Sequence, residues 1–323
     1  MDWLSDQFAS LQQWLFEAAV QPLVYAIGLG GWVEDAFEAT GWLLVGLAQI
    51  AVLLTVIGPL QRWWPVEPVV DRRAIRTDVI YTLIHRLGLF RLAMFFALEP
   101  LFDEMLGSLR AAGWGSMHLD ALWPGVTDIP WVAFAIYLVV LDLVGYFIHR
   151  GQHGFKWWWA LHSLHHSQRQ MTMWSDNRNH LLDDVIHDTI IVVVAQLIGV
   201  APGQFIAIVA FTQLSQSLQH ANLRLRFGPI GDRLWISPRF HRTHHSIGIG
   251  HESGGPRSLG GHNFGVLLPW WDMLLRTGDF SHGYDATGIR DQVEPDAQGR
   301  LREYGTGFWA QQRLGLKRLV GRA

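Results

Sequence analysis

The sequence predicts an all-α integral membrane helical bundle of about four to five spans, on three observations. Half of its 323 residues are hydrophobic and only 16% are charged, where an ordinary soluble domain carries about 25% charged residues. Several apolar runs reach the length of a bilayer-crossing helix. Many of the seventeen tryptophans sit at the ends of those runs, as at Trp42, Trp63, Trp64, Trp131 and Trp157 to Trp159, where an amphipathic ring suits the membrane–water interface.

Composition also excludes chemistry. There is no cysteine, hence no disulfide, no thiolate metal site and no thiol nucleophile, and any metal must be held by nitrogen and oxygen. The net charge of −3, with no basic run interleaved with aromatics, argues against nucleic acid. The N-terminus opens acidic, at Asp2 and Asp6, without the positive region that precedes a secretory apolar stretch.

In chain order, residues 1–40 form an aromatic, interfacial segment interrupted by Pro22 and the glycines at 28, 30 and 31. Residues 41–60 are twenty residues without a charge, the length of one span. Six acids and no Lys or Arg precede this run, and Arg62, Arg72, Arg73 and Arg76 follow it. The positive-inside rule then puts the N-terminus outside and the next loop in the cytoplasm. A second, less pure span covers residues 75–102 and carries Asp78, His85, Arg86, Arg91 and Glu99, so it is expected to pack against polar groups. Residues 129–148 form a third span whose only charge is Asp142. Residues 189–200 and 203–218 read as a helical hairpin turning at Pro202 that dips into or crosses the membrane. From Ala221 onward the chain is soluble in character.

The histidines are grouped. Asp142, Tyr146, His149 and His153 are spaced 4, 3 and 4, so they share one helical stripe, and the two histidines can clamp one ion. His162, His165 and His166 follow in HSLHH, and His241, His244 and His245 repeat that spacing in HRTHH. Adjacent helical positions diverge by about 100°, so each HH pair can serve two different ions. Eight histidines exceed the four to six ligands one transition metal takes and suit two. His180 and His220, on either side of the hairpin, are the best further candidates. Imidazole suits iron, zinc, copper and nickel alike. His85, His118, His187, His251, His262 and His282 lack a partner at ligand spacing and default to structural roles.

HRGQH at 149–153, HSLHH at 162–166 and HRTHH at 241–245 resemble the three histidine boxes of the fatty acid hydroxylase / sterol desaturase superfamily of membrane diiron oxygenases. The flanks are similar too: DxxxYxxHR from Asp142, RNH at 178–180, QHANLRLRFGP from Gln219, SPRFHRTHHS from Ser237 and NFGVLLPWWD from Asn263. The likeness covers roughly residues 70–277. It implies a hydroxylase-like membrane domain over 41–280, a cytoplasmic helical cap carrying a dimetal site, and a cytoplasmic C-terminal tail over 281–323. It implies two Fe as cofactor, with Zn able to substitute in preparations, held by His149, His153, His162, His165, His166, His241, His244 and His245, with His180 and His220 as additional ligands. Asp142 and Tyr146 would lie just behind the ligands, where a carboxylate or hydroxyl orients an imidazole through its other ring nitrogen, and Asn263 would hydrogen-bond near the site.

The resemblance further implies O2-dependent hydroxylation of an aliphatic C–H bond of a lipid, such as a fatty acyl chain or a sterol, in a bacterial inner membrane or its equivalent. No haem, flavin, nicotinamide or iron–sulfur motif is present, so two electrons must come from a separate donor protein. Desaturation by the same site is the main alternative. A membrane metal transporter or a zinc-dependent hydrolase are further ones.

Overall fold

The computed structural model describes residues 2–113, 115, 117–248, 260–281 and 283–322. His251 and His282 lie outside the described residues. Among the described residues the regular structure is helical, with a single isolated bridge between Ser246 and Thr287. The helices are α1 (Asp2–Leu15), α2 (Gln21–Ala26), α3 (Val33–Val52), α4 (Gly58–Trp63), α5 (Arg72–Arg86), α6 (Leu89–Ala111), α7 (Pro130–Gly154), α8 (Lys156–His166), α9 (Leu181–Leu197), α10 (Pro202–His220), α11 (Gly228–Leu234), α12 (Pro238–His244), α13 (Trp270–Leu274) and α14 (Phe308–Leu319). They form two compact units, Met1–Val52 with Leu83–Gly107, and Leu53–Thr82 with Ser108–Ala323.

Among the described residues, two helical runs are long and apolar enough to cross a membrane: Gly30–Trp63, of 34 residues, and Pro130–Gly154, of 25 residues. The first contains a π segment, Leu53–Ile57. It falls immediately before Pro59, which lacks the N–H that a regular helix would direct at the Thr55 carbonyl. Residues 75–102 divide between α5 and α6, which meet at an angle of 52° and make at most one broken span. Gly88, in the left-handed region at φ +78°, supplies the break.

Length and apolarity thus support two spans, or three with the bent pair, fewer than the four to five that the sequence suggests. The shortfall is the hairpin. Helix α9 has 17 residues and opens with Asp183 and Asp184, so at 1.5 Å per residue it is only about 26 Å long. Helix α10 has 19 residues and carries Gln204, Gln213, Gln216 and Gln219.

The charges within 75–102 do meet polar partners. In the first unit Arg86 donates to Gln49 Oε1 at 3.1 Å, and the Arg91 guanidinium lies 3.5 Å from the centroid of the Trp42 ring. A Cβ on Gly46 would stand 1.6 Å from the Arg86 carbonyl oxygen, so this approach requires glycine. In the second unit, buried Asp78 accepts from Arg178 Nε at 2.5 Å.

The core of the second unit lies along α7, where Tyr137, Leu138 and Leu141 pack with Ala195 of α9 and Ile208 of α10. Tyr137 donates to Asp120 Oδ1 at 2.9 Å and is 3.1 Å from the Gly199 carbonyl in the α9–α10 turn. Helix α14 packs on α8, so the C-terminal residues belong to the same unit as the histidines.

Candidate metal centre

Four helices end, or lie, at one place. The C-terminal turns of α7 carry His149 and His153, α8 carries His162, His165 and His166, α10 ends at His220, and α12 presents His241 and His244 with His245 as its C-cap. Helix α12 starts sharply because Ser237 accepts from the Phe240 N–H and Pro238 occupies its first turn.

Potential ligand nitrogens of His149, His153, His162 and His166 lie within 4.8 Å of one another, as do those of His165, His220, His241 and His245, and those of His166, His244 and His245. The adjacent histidines of HSLHH are divided between the two groups of four. The i,i+4 pair His162 and His166 faces one, and His165 faces the other. The two groups adjoin, with the rings of His166 and His245 stacked at 4.3 Å, and the His244 ring meets that of His149 edge to face at 4.4 Å. Apart from His149, every one of these histidines is less than 7% exposed.

Hydrogen bonds fix which nitrogen points inward. His149 Nδ1 donates to the Phe264 carbonyl at 2.9 Å, His220 Nδ1 to the Gln216 carbonyl at 2.8 Å, and His244 Nδ1 to the His262 carbonyl at 2.7 Å. His162 Nδ1 donates to Asp183 Oδ2 at 3.0 Å. A neutral ring with its proton on Nδ1 turns the Nε2 lone pair toward the cluster.

Burial first, and then neighbouring imidazoles, hold His165, His166, His241 and His245 well below the ordinary histidine value of 6.5. Burial likewise lowers His220. Rings that resist protonation keep their lone pairs at neutral pH.

This donor set fits metal ions. Nε2 atoms approach each other at 3.1 Å for His153 and His166, 3.1 Å for His165 and His220, 3.1 Å for His220 and His241, and 3.2 Å for His241 and His245. Two nitrogens bound to one ion at about 2.1 Å would stand about 3.0 Å apart at a right angle and about 3.4 Å apart at the tetrahedral angle. His162 Nε2 is buried and has no hydrogen-bond partner among the described residues, a cost that coordination would remove.

His180 departs from the sequence expectation. It lies outside these groups, with both ring nitrogens engaged: Nδ1 accepts from the Leu182 N–H at 3.1 Å, capping α9, and Nε2 donates to the Gln312 carbonyl at 2.9 Å. Its value for the fold is therefore that of an N-cap.

Asp142, Tyr146 and Asn263 touch no clustered imidazole through a polar atom. Asp142 accepts from the N–H groups of Leu267 and Leu268 at 2.7 and 3.2 Å and from Trp271 Nε1 at 2.8 Å. Tyr146 pairs with Thr277 Oγ1 at 2.9 Å. Asn263, at φ +62°, donates to the carbonyls of Phe240 and Asp279, each at 3.0 Å. All three secure the 262–279 loop, which in turn presents the His262 and Phe264 carbonyls to His244 and His149. Asp272 helps, accepting from the N–H groups of Phe264 and Gly265 at 2.9 and 2.7 Å. Burial pushes its carboxyl upward.

The carboxylate that does hold an imidazole is Asp183, which sequence reasoning missed. Besides His162 it accepts from Gln152 Nε2 at 2.8 Å and Trp158 Nε1 at 2.7 Å. Burial pushes its carboxyl up, but these hydrogen bonds outweigh burial and leave it below the ordinary range. Asp183 lies seventeen residues beyond the nearest histidine box, and no helical spacing links them.

Residues 134–277 match the family model for fatty acid hydroxylase, a stretch that includes every clustered histidine. An ornithine lipid hydroxylase of Rhizobium tropici is 27% identical over 305 residues, 93% of this chain and 86% of that protein. An alkylglycerol monooxygenase of Caenorhabditis elegans is 27% identical over 153 residues, 46% of this chain and 27% of that protein. No solved structure matches. The structure is helical and histidine-rich with membrane-length apolar helices, and these similarities indicate an oxidoreductase. Over residues 134–277 the chain is therefore similar to the fatty acid hydroxylase family.

Proposed function

We propose that this protein is a membrane-bound, O2-dependent dimetal oxygenase that hydroxylates an aliphatic C–H bond of a lipid. The observation that carries the reading is the pair of buried four-histidine groups at the C-terminal end of an apolar helix. Hydroxylation consumes the C–H substrate, O2, two electrons and two protons, and yields the alcohol and water. Two irons, when bound, would supply oxygen activation and C–H cleavage. His149, His153, His162 and His166 would hold one, and His165, His220, His241 and His245 the other, with His244 between them. His180 is left out of this set.

The rest of the site acts on those ligands. Asp183 and the carbonyls of Phe264, Gln216 and His262 keep four rings in the tautomer that binds metal. Burial excludes bulk water. No electron-carrying cofactor motif occurs in the chain, so a separate donor protein would deliver the electrons. The positive-inside pattern supports a cytoplasmic site and an outward N-terminus in a bacterial inner membrane or its equivalent.

The similarity to an ornithine lipid hydroxylase over 93% of the chain favours an acylated membrane lipid as substrate. Comparing lipid extracts of cells with and without the gene by mass spectrometry is the test. A species about 16 mass units heavier supports hydroxylation, one about 2 units lighter supports desaturation by the same residues, and unchanged lipids refute both. Metal analysis of protein purified without added metal, with O2 uptake, separates this reading from a zinc hydrolase or a transporter. Zinc can displace Fe(II) during expression because its site affinity is higher.

A further inference from the structure

Helix α14 is amphipathic in the inverted sense. The residues it turns inward are Gln311, Gln312, Gly315 and Arg318, all buried. The residues it turns outward are Trp309, Arg313, Leu316, Lys317 and Val320, which are exposed and, spaced 4, 3, 1 and 3, form one stripe. Trp309 is 79% exposed and Val320 64%.

The polar inner face is explained by what it docks on. Gln312 Oε1 accepts from the Leu181 N–H at 2.9 Å, and its Nε2 donates to Tyr81 Oη at 2.9 Å and the Asn179 carbonyl at 3.0 Å. Arg318 Nε donates to the Ala160 carbonyl at 3.1 Å. A Cβ on Gly315 would stand 2.2 Å from the His180 ring. The outer face has no such explanation in water, where an apolar stripe is unfavourable.

Two further observations point to its surroundings. The Arg318 bond pins the end of α14 to α8 one turn from Trp157. Phe155 and Trp157, 57% and 48% exposed, follow directly where the apolar helix α7 finishes at Gly154. The stripe is also basic, with Arg313 and Lys317 among the apolar residues and Arg322 exposed just beyond, which complements anionic headgroups.

We propose that the outer face of α14 lies in the headgroup region of an anionic bilayer, at the level where α7 leaves the membrane. Trp309, Leu316 and Val320 insert, and Arg313 and Lys317 pair with lipid phosphates. The helix thereby couples the membrane surface to α8 and its histidines. This extends the oxygenase reading without depending on it, and it does depend on α7 crossing the bilayer.

The absence of cysteine from the chain makes the test direct. The full-length protein is reconstituted in bilayers of phosphatidylcholine with and without phosphatidylglycerol, carrying one spin label at Trp309→Cys, Leu316→Cys or, as a water-exposed reference, Gln298→Cys. Collision with O2, which partitions into lipid, is compared with collision with a water-soluble nickel chelate.

Labels at 309 and 316 should favour O2 and the label at 298 the chelate. Phosphatidylglycerol should deepen the first two, and R313E with K317E should abolish that dependence. Chelate access at 309 and 316 equal to that at 298 would place the stripe in water and overturn the proposal. Shielding from both reagents, with crosslinking to another chain, would assign it to a protein partner and overturn it equally.

Discussion

Replacing Asp183 with Asn tests how the site holds its ligands. Asp183 Oδ1 accepts from Gln152 and Trp158, and Oδ2 accepts from His162 Nδ1. Asparagine keeps one acceptor oxygen and substitutes an NH2 for the other. Turning the NH2 toward Gln152 and Trp158 would orphan two buried donors, at about 1–3 kcal/mol each. The oxygen therefore stays with them, and the NH2 faces His162. His162 must then accept at Nδ1, which moves its proton to Nε2 and removes the lone pair from the His149–His153–His162–His166 group. Losing such a partner typically weakens metal affinity about 10–100-fold, or about 1.4–2.7 kcal/mol. In a chelator titration followed by elemental analysis, Asp183→Asn should release roughly half of its metal early, while the other histidine group holds as in the wild type. Release curves identical to wild type would refute the assignment of Asp183.

His220→Ala and His180→Ala should behave oppositely. The first should purify with reduced metal, and the second with wild-type metal but lower stability, by about 1 kcal/mol for a lost helix cap, as read by elemental analysis and thermal melting. Acidification should destabilise the metal-free protein. His165, His166, His241 and His245 are held well below 6.5 in the fold, so below pH 6.5 the unfolded chain binds more protons than the folded one. Stability is present above that value and is lost as pH falls through it, by up to about 1.4 kcal/mol per histidine one unit lower. Melting of chelator-treated protein between pH 7.5 and about 5.5 checks this, and a pH-independent midpoint would contradict it. Gly315→Ala should lower the melting midpoint, because its Cβ would clash with the His180 ring. Overpacking of this kind typically costs about 1–3 kcal/mol.

The helical class and the apolar runs around 41–60 and 129–148 were legible because a bilayer-length helix must be continuously apolar, a property of local composition. The histidine boxes were legible because helical spacing alone sorts their side chains by face. Helices α9 and α10 read as a hairpin that dips into or crosses the membrane, and their acids and glutamines, together with the short length of α9, leave them outside the helices that length and apolarity mark as candidate spans. His180 reads as a ligand candidate because it stands beside the hairpin, opposite His220. Its ring nitrogens are instead committed to capping α9 and to the Gln312 carbonyl, 132 residues away in sequence.

What the sequence by itself determined is the chemistry available: imidazole without thiolate, in pairs at i,i+4 and side by side, beside an apolar helix. For His149, His162 and His244, which ring nitrogen faces inward was decided only by the tertiary structure. That choice depends on a partner at the opposite nitrogen. For His149 and His244 the partners are carbonyls of the 262–279 loop, itself secured by Asp142 and Asp272, and for His162 the partner is Asp183. The three imidazole contacts join residues separated by 18, 21 and 115 positions, beyond the reach of any local pattern.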